Sequence, residues 1–151
     1  MIALIQRVKH AEVTVGGKTV ARAGYGILAL VAIEKQDTDT EMQRLAERLL
    51  NYRIFPDQNK KMNLSLCDIG GDLLLVPQFT LAADTRNGNR PGFSAAAPPE
   101  QSRSMFEQFV GLMESRHQQT ECGCFGEDMQ VSLTNDGPVT FLLHVTSPTR
   151  Q

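Results

Sequence analysis

The 151-residue chain carries 15 Lys and Arg against 17 Asp and Glu, a net charge of −2, with 41% hydrophobic and 21% charged residues. That length suits one domain, residues 1–151, with a core of its own, and the composition excludes a disordered or fibrous chain. No apolar run approaches the ~18 residues of a membrane span, and a slightly acidic chain is ill suited to gripping many nucleic-acid phosphates without specificity.

The opening segment Met1 to Val8 is apolar and extended, and Arg7 and Lys9 fall inside a strand-like stretch with no leader-like charged region, so a signal peptide is not expected. Ala11 to Val15 alternates, Gly16-Gly17 supplies a two-residue turn, and Lys18 to Ala23 returns as the partner strand. After Gly24-Tyr25-Gly26, the run Ile27 to Ile33 has the length and composition of a strand buried on both faces. Thr38-Asp39-Thr40-Glu41 fits a capping box, and Met42, Leu45, Ala46, Leu49 and Leu50 follow at helical spacing. Pro56 closes that segment, Asp57 to Lys61 is a polar turn, and Asn63 to Leu66 reads as a short extended piece.

Gly70-Gly71 turns into Asp72 to Val76, a buried strand that Pro77 must terminate or leave on an edge. From Ala82 to Pro99 no periodicity survives, and a loop of that length inside a compact domain is usually functional. Pro98-Pro99 is placed to open a second helix, with Met105, Phe106, Phe109, Val110 and Met113 as its stripe. Met129 to Leu133 and Val139 to Val145 finish as strands around an Asn-Asp-Gly-Pro turn, and Ser147 to Gln151 is expected to fray. The predicted class is α+β: a mainly antiparallel, curled, barrel-like sheet with two helices.

The usual catalytic devices are missing. The sequence holds neither a Gly-x-x-x-x-Gly-Lys-Ser/Thr loop nor Gly-x-Gly-x-x-Gly, and no His-Glu-x-x-His. Gly92-Phe93-Ser94-Ala95-Ala96 lacks the final Gly of a nucleophile elbow. Cys67, Cys122 and Cys124 are odd in number, as for reduced thiols in the cytoplasm, and Cys122-Gly123-Cys124 is too tight for a Cys-x-x-Cys site. No metal and no cofactor is expected, and the three thiols read as small buried hydrophobes on a strand or turn.

Two segments remain. Val76-Pro77-Gln78-Phe79-Thr80-Leu81 stands at a strand end entering the long loop, where a rigid scaffold presents side chains and free backbone N–H groups. Alone it also reads as an edge strand with mixed facing. Leu133 to Thr140 contains Asn135-Asp136-Gly137-Pro138, readable as a plain hairpin turn or as a cis Gly-Pro peptide, whose two carbonyls would point one way and suit an ammonium group.

Gln-Phe-Thr-Leu followed about 57 positions later by Asn-Asp-Gly-Pro-Val-Thr closely resembles the D-aminoacyl-tRNA deacylase family, formerly D-tyrosyl-tRNA deacylase. The resemblance extends over nearly the whole chain. It includes Met1 to Val8 with Arg7, Leu49 to Arg53, Lys61 to Ser65, Ala82 to Thr85 and Phe125 to Met129. One position departs: the family's first motif reads Ser-Gln-x-Thr, and here Pro77 replaces the Ser, losing a hydroxyl and an N–H. A sister group that tolerates some L-aminoacyl substrates shares Pro-Gln, whereas the second motif and Arg7 match the D-specific form.

The resemblance implies hydrolysis of the ester joining a D-amino acid, or glycine, to the terminal adenosine of tRNA, in the cytoplasm and without a membrane. It implies a homodimer in which Gly137-Pro138, cis, enters the partner's pocket, receives the substrate's amino group and leaves no room for an L side chain. Arg7 and Met129 would hold that motif, and Phe125 would contact substrate. Gln78, Phe79 and Thr80 would form the catalytic segment, with the N–H groups near Phe79 and Thr80 as oxyanion-type donors. Thr80 as a covalent nucleophile is the rival mechanism. Lys60, Lys61, Arg86 and Arg90 are candidates for tRNA phosphate contacts. The competing readings are a relaxed-chirality deacylase, a non-catalytic tRNA-binding module, and a thiol hydrolase using Cys122 or Cys124.

Overall fold

The computed structural model describes residues 1–147. β1 (Ile2–Val15) is one continuous strand around which the sheet is organised. β2 (Lys18–Ala23) returns antiparallel on its second half through Gly16 and Gly17, both at positive φ (56° and 76°), which a side chain disfavours. β3 (Gly26–Ala32) lies antiparallel on its first half, from Ile2↔Ala32 to Val8↔Gly26.

The chain then leaves the sheet for α1 (Asp39–Asn51), which opens on the expected capping box: Thr38 N–H donates to Glu41 Oε2 at 2.9 Å, and Thr40 N–H to Thr38 Oγ1 at 3.3 Å. A small antiparallel pair, β4 (Phe55–Pro56) and β5 (Met62–Leu64), leads into α2 (Leu66–Ile69). The sequence reading missed α2 and took Leu66 as extended. Ser65 and Asp68 cap each other there, the same box compressed into one turn, and Gly70 ends it at φ 59°.

β6 (Asp72–Pro77) pairs parallel with β3, α3 (Pro99–Arg116) opens on the expected proline, and β7 (Thr120–Cys122) pairs parallel with β6. β8 (Gln130–His144) closes the order on the other edge of β1, antiparallel. Among the described residues there are thus three α-helices, one more than expected, and the sheet is antiparallel around β1 and parallel at β3–β6–β7. The parallel part follows from the long crossovers that carry α1 and α3.

The sheet's alternation splits the core in two. Ile27, Ala29, Val31, Leu73 and Leu75 face α1 and α3, against Leu45, Leu49, Phe106, Phe109 and Met113. Leu28, Leu74 and Val76 point the other way, into the curl, against Val8, Val13, Ala21 and the flank of Met129. Burying two faces of one strand is what the unbroken apolar run at Ile27 requires. Ser147, expected to fray, donates its hydroxyl to Glu41 Oε1 at 2.9 Å; the rest of that tail, 148–151, lies outside the described residues. Among the described residues no helix is long and apolar enough to cross a membrane.

Candidate active site

Pro77 is the last residue of β6, as a strand-ending proline should be. In this strand Leu75 faces β7, accepting from Gly123 N–H at 2.8 Å, and Gln78, the residue just past the strand's end, faces β3, donating to Val31 O at 2.7 Å. By the alternation Pro77 faces β7, whose pairing stops at Leu75↔Cys122. The missing N–H therefore breaks no ladder bond. The chain then winds into a 3₁₀ turn, Phe79–Ala82, whose first internal bond is Leu81 N–H to Gln78 O at 3.2 Å. The N–H groups of Phe79 and Thr80 precede that bond, and no side chain caps the turn. They form an adjacent pair of donors at an exposed strand end.

The Gln78 amide donates to Thr80 Oγ1 at 2.5 Å. Among the described residues no imidazole or carboxylate bonds that hydroxyl: His10 meets Thr134, His117 meets Gly71 O, and His144 meets Glu34. Phe79 is 56% exposed, an unusual state for a phenyl ring. Its ring centroid lies 5.2 Å from that of Phe93, from the long loop. Both rings line an apolar cavity of about 490 Å³ with Ala96, Pro98 and Phe125. The structure thus joins Phe79 to Phe125, two of the expected site residues, and adds Phe93, which sequence reasoning passed over as loop.

The second motif is not a hairpin turn. β8 runs straight through it, and Gln6↔Thr140 and Val8↔Asn135 leave residues 136–139 bulging opposite the single residue Arg7. The Gly137-Pro138 peptide is cis. Arg7 fixes one flank: Nε donates to Asp136 O at 2.9 Å, Nη1 to Ile54 O at 2.7 Å, and Nε stands 3.2 Å from Asp136 Oδ2. Asn135 fixes the other, accepting from Val139 N–H at 2.7 Å and donating to Val139 O at 3.3 Å and Thr140 Oγ1 at 2.9 Å. Gly137 sits at φ 147°, where a Cβ would come within 2.6 Å of Val139 Cγ2. Gly137 and Pro138 themselves are exposed. Asn135 and the Ile54 carbonyl were missed as anchors; Asn135 lay in the motif, but nothing local distinguishes it from a turn residue.

The two motifs do not meet within one chain. The 3₁₀ turn packs through Leu81 and Ala82 beside Ile2, whereas the bulge faces Arg7. Five residues of strand separate them, about 17 Å. Met129 precedes β8 and packs in the curl, and its sulfur is what a Cβ on Gly123 would strike at 2.8 Å, with Pro77 of the first motif 3.7 Å from the same point.

Lys60 and Lys61 are exposed on the β4–β5 hairpin, and Arg86 is held by Asp84 at 2.7 Å, which keeps that carboxyl well below its usual range. Cys67 is exposed on α2, against expectation, and Cys122 and Cys124 are half-buried. Burial pushes the Cys122 thiol up, away from the reactive thiolate, and neither Cys122 nor Cys124 lines the aromatic cavity. Among the described residues no group of three or more His, Cys, Asp and Glu is placed to hold a metal ion.

The model of the family described as D-Tyr-tRNA(Tyr) deacylase matches residues 4–144. D-aminoacyl-tRNA deacylase of Teredinibacter turnerae is 57% identical over 143 residues, 95% of this chain and 99% of that protein. Its counterpart from Methylococcus capsulatus is 59% identical, over 95% and 94%. Among solved structures, the c-Myc DNA Unwinding Element Binding Protein superposes with TM-score 0.93 at 37% identity, covering 97% of this chain and all of that one. A probable eukaryotic D-amino acid tRNA deacylase shares the fold at TM-score 0.83 and 18% identity, over 94% and 97%. With its fold and nearly its whole length matched, the chain belongs to the D-Tyr-tRNA(Tyr) deacylase family and is a hydrolase of D-aminoacyl-tRNA.

Proposed function

We propose that selection against L-aminoacyl esters is made by Gly137-Pro138 of one protomer entering the cavity of its partner, in a homodimer, and that glycyl-tRNA is also hydrolysed. The observation that carries this reading is the bulge: exposed backbone, tied at both flanks, about 17 Å along β1 from the donor turn of its own chain. A second copy brings the two together. The carbonyls of the bulge receive the substrate's ammonium, and an L side chain then points into backbone that cannot withdraw. Glycine passes because it has no side chain to clash.

The apolar cavity suits the base of the terminal adenosine, stacked among Phe79, Phe93 and Phe125. That stacking places the ester beside the Phe79 and Thr80 N–H groups. Water attacks the carbonyl carbon, the developing oxyanion takes those two hydrogen bonds, and the bond to the ribose oxygen breaks, giving free amino acid and tRNA with its hydroxyl restored. The neighbouring 2′-hydroxyl of the substrate helps position the water. Thr80 orients Gln78 rather than attacking, since among the described residues no imidazole or carboxylate bonds its hydroxyl. The cytoplasm, where aminoacyl-tRNA is consumed, is the compartment this reading requires.

Deacylation of matched D-Tyr-tRNA and L-Tyr-tRNA tests it. Rapid release from D and slow release from L is the expected result. Comparable rates would move the protein to the relaxed-chirality group, and release from neither would make it a binding module.

A further inference from the structure

Beside the aromatic cavity lies a second hollow of about 380 Å³, lined by Pro99, Glu100, Arg103, Ser104, Glu107 and Phe125. Phe125 and Pro99 line both hollows and stand between them. The Arg103 guanidinium stacks on the Phe125 ring, 4.9 Å from the centroid, and Phe106 backs the ring at 6.2 Å. Gly126 admits this arrangement: a Cβ there would stand 3.1 Å from Arg103 Nη2.

Arg103 has closer-to-hand partners that it does not take. Glu100 and Glu107 stand three residues before and four after it on α3, the spacings at which helical side chains pair. Among the described residues, nonetheless, the Arg103 guanidinium makes neither ion pair nor hydrogen bond. A cation with its donors unused lies over an aromatic ring that lines the apolar cavity. Lys35, which lines the cavity itself, adds a second positive charge.

We propose that Arg103 binds the 5′-phosphate of the substrate's terminal nucleotide. This rests on the reading that the cavity takes the terminal base, and it names the group that recognises the nucleotide as phosphorylated. One aromatic ring separates cavity from guanidinium, much as one ribose separates base from phosphate. The guanidinium fork matches phosphate oxygens, and stacking orders it before the ligand arrives. Arg103 is a binding residue here and takes no part in bond cleavage.

The test compares adenosine 5′-monophosphate with adenosine as inhibitors of D-Tyr-tRNA hydrolysis, in the wild type and in Arg103→Met, which keeps helix propensity and apolar cover on Phe125. The wild type should prefer the monophosphate by about tenfold, the equivalent of ~1.4 kcal/mol for one charge-assisted contact at a solvated site. Arg103→Met should abolish the preference and raise KM for D-Tyr-tRNA about tenfold at unchanged kcat, with Arg103→Lys in between. Equal inhibition of the wild type by both compounds overturns the proposal, as does a preference that survives in Arg103→Met or a fall confined to kcat. Should the wild type hydrolyse nothing, the proposed function fails, and calorimetric titration of the two compounds still decides the role of Arg103.

Discussion

Replacing Arg7 by Met probes the anchoring of the bulge most directly. The side chain is 12% exposed and supplies two charged donors, to Asp136 O and Ile54 O, while its charge also faces the Asp136 carboxylate. Met fills much of the same volume but donates nothing. Two carbonyls lose charged donors worth about 1.5–3 kcal/mol each, and a half-buried carboxylate loses its counter-charge, so the expected cost is about 3–5 kcal/mol. That is a large part of the ~5–15 kcal/mol that holds a domain of this kind folded, yet small enough to leave a folded protein. Urea unfolding of wild type, Arg7→Met and Arg7→Lys measures it, with the Lys variant intermediate because a point charge satisfies one carbonyl at a time. Under the proposed function the same loosening lets L-Tyr-tRNA in, so the D-to-L rate ratio should fall about tenfold or more, as ~1.4 kcal/mol of lost wall stiffness would give. A cost below about 1 kcal/mol together with an unchanged ratio would refute the anchoring argument.

Three further outcomes are expected. Gly137→Ala places a Cβ within 2.9 Å of the Val139 backbone nitrogen at φ 147°, so the bulge must shift, costing about 1–3 kcal/mol and at least tenfold in D-substrate turnover; steady-state kinetics and thermal melting read the two effects. Thr80→Ala should keep kcat within about tenfold of wild type, since deleting a true nucleophile from an assembled triad costs about 10⁶-fold, and single-turnover assays separate these cases. Glu41, buried, is held by the Thr38 hydroxyl against a burial cost that pulls the other way, with its pKa lowered from 4.5 to about 2. A carboxylate depressed in the folded state stabilises fully above its unfolded value and loses that contribution as pH falls through the folded one. Wild type should therefore exceed Glu41→Gln by about 1–2 kcal/mol at pH 7, with the gap closing between about pH 4.5 and 2, as followed by denaturant titration at several pH values.

What could be read from the residues was whatever short-range chemistry decides. The Thr38 to Glu41 box, the Gly16-Gly17 turn, the doubly buried run at Ile27 and the proline opening α3 each carry their reason within a few positions, and each formed as read. α2 was lost because a one-turn helix has no periodicity to display, although Ser65 and Asp68 spell its cap. The two halves of β1 looked separate because Lys9 and His10 interrupt the apolar pattern, and the two halves of β8 because Asn135 to Pro138 imitates a turn. Asn135 to Pro138 has turn composition whether the chain reverses or bulges, and only β1 on the other side decides between them. The grip of Arg7 on Ile54 spans 47 residues and left no local trace. Phe93 was hidden for the same reason: its partner, Phe79, is brought to it by the fold of the long loop.

The continuity of β1 and β8 matters to chemistry as well as to architecture. Suppressing L-substrates by ~10³–10⁴ needs about 4–5.5 kcal/mol, and attraction for one methylene contributes only ~1–3 kcal/mol, so a selective site must repel. A repelling group discriminates only up to the energy needed to push it aside. A hairpin tip moves with its turn, whereas a bulge inside a continuous ladder moves only if its anchors break. Here those anchors are two hydrogen bonds from Arg7 and three through Asn135. At about 1 kcal/mol for each neutral bond and 1.5–3 for each charged one, their sum exceeds the discrimination required, and without Arg7 it does not. The limit on chirality in the proposed mechanism is therefore set by Arg7, in β1, rather than by any residue that touches the amino acid.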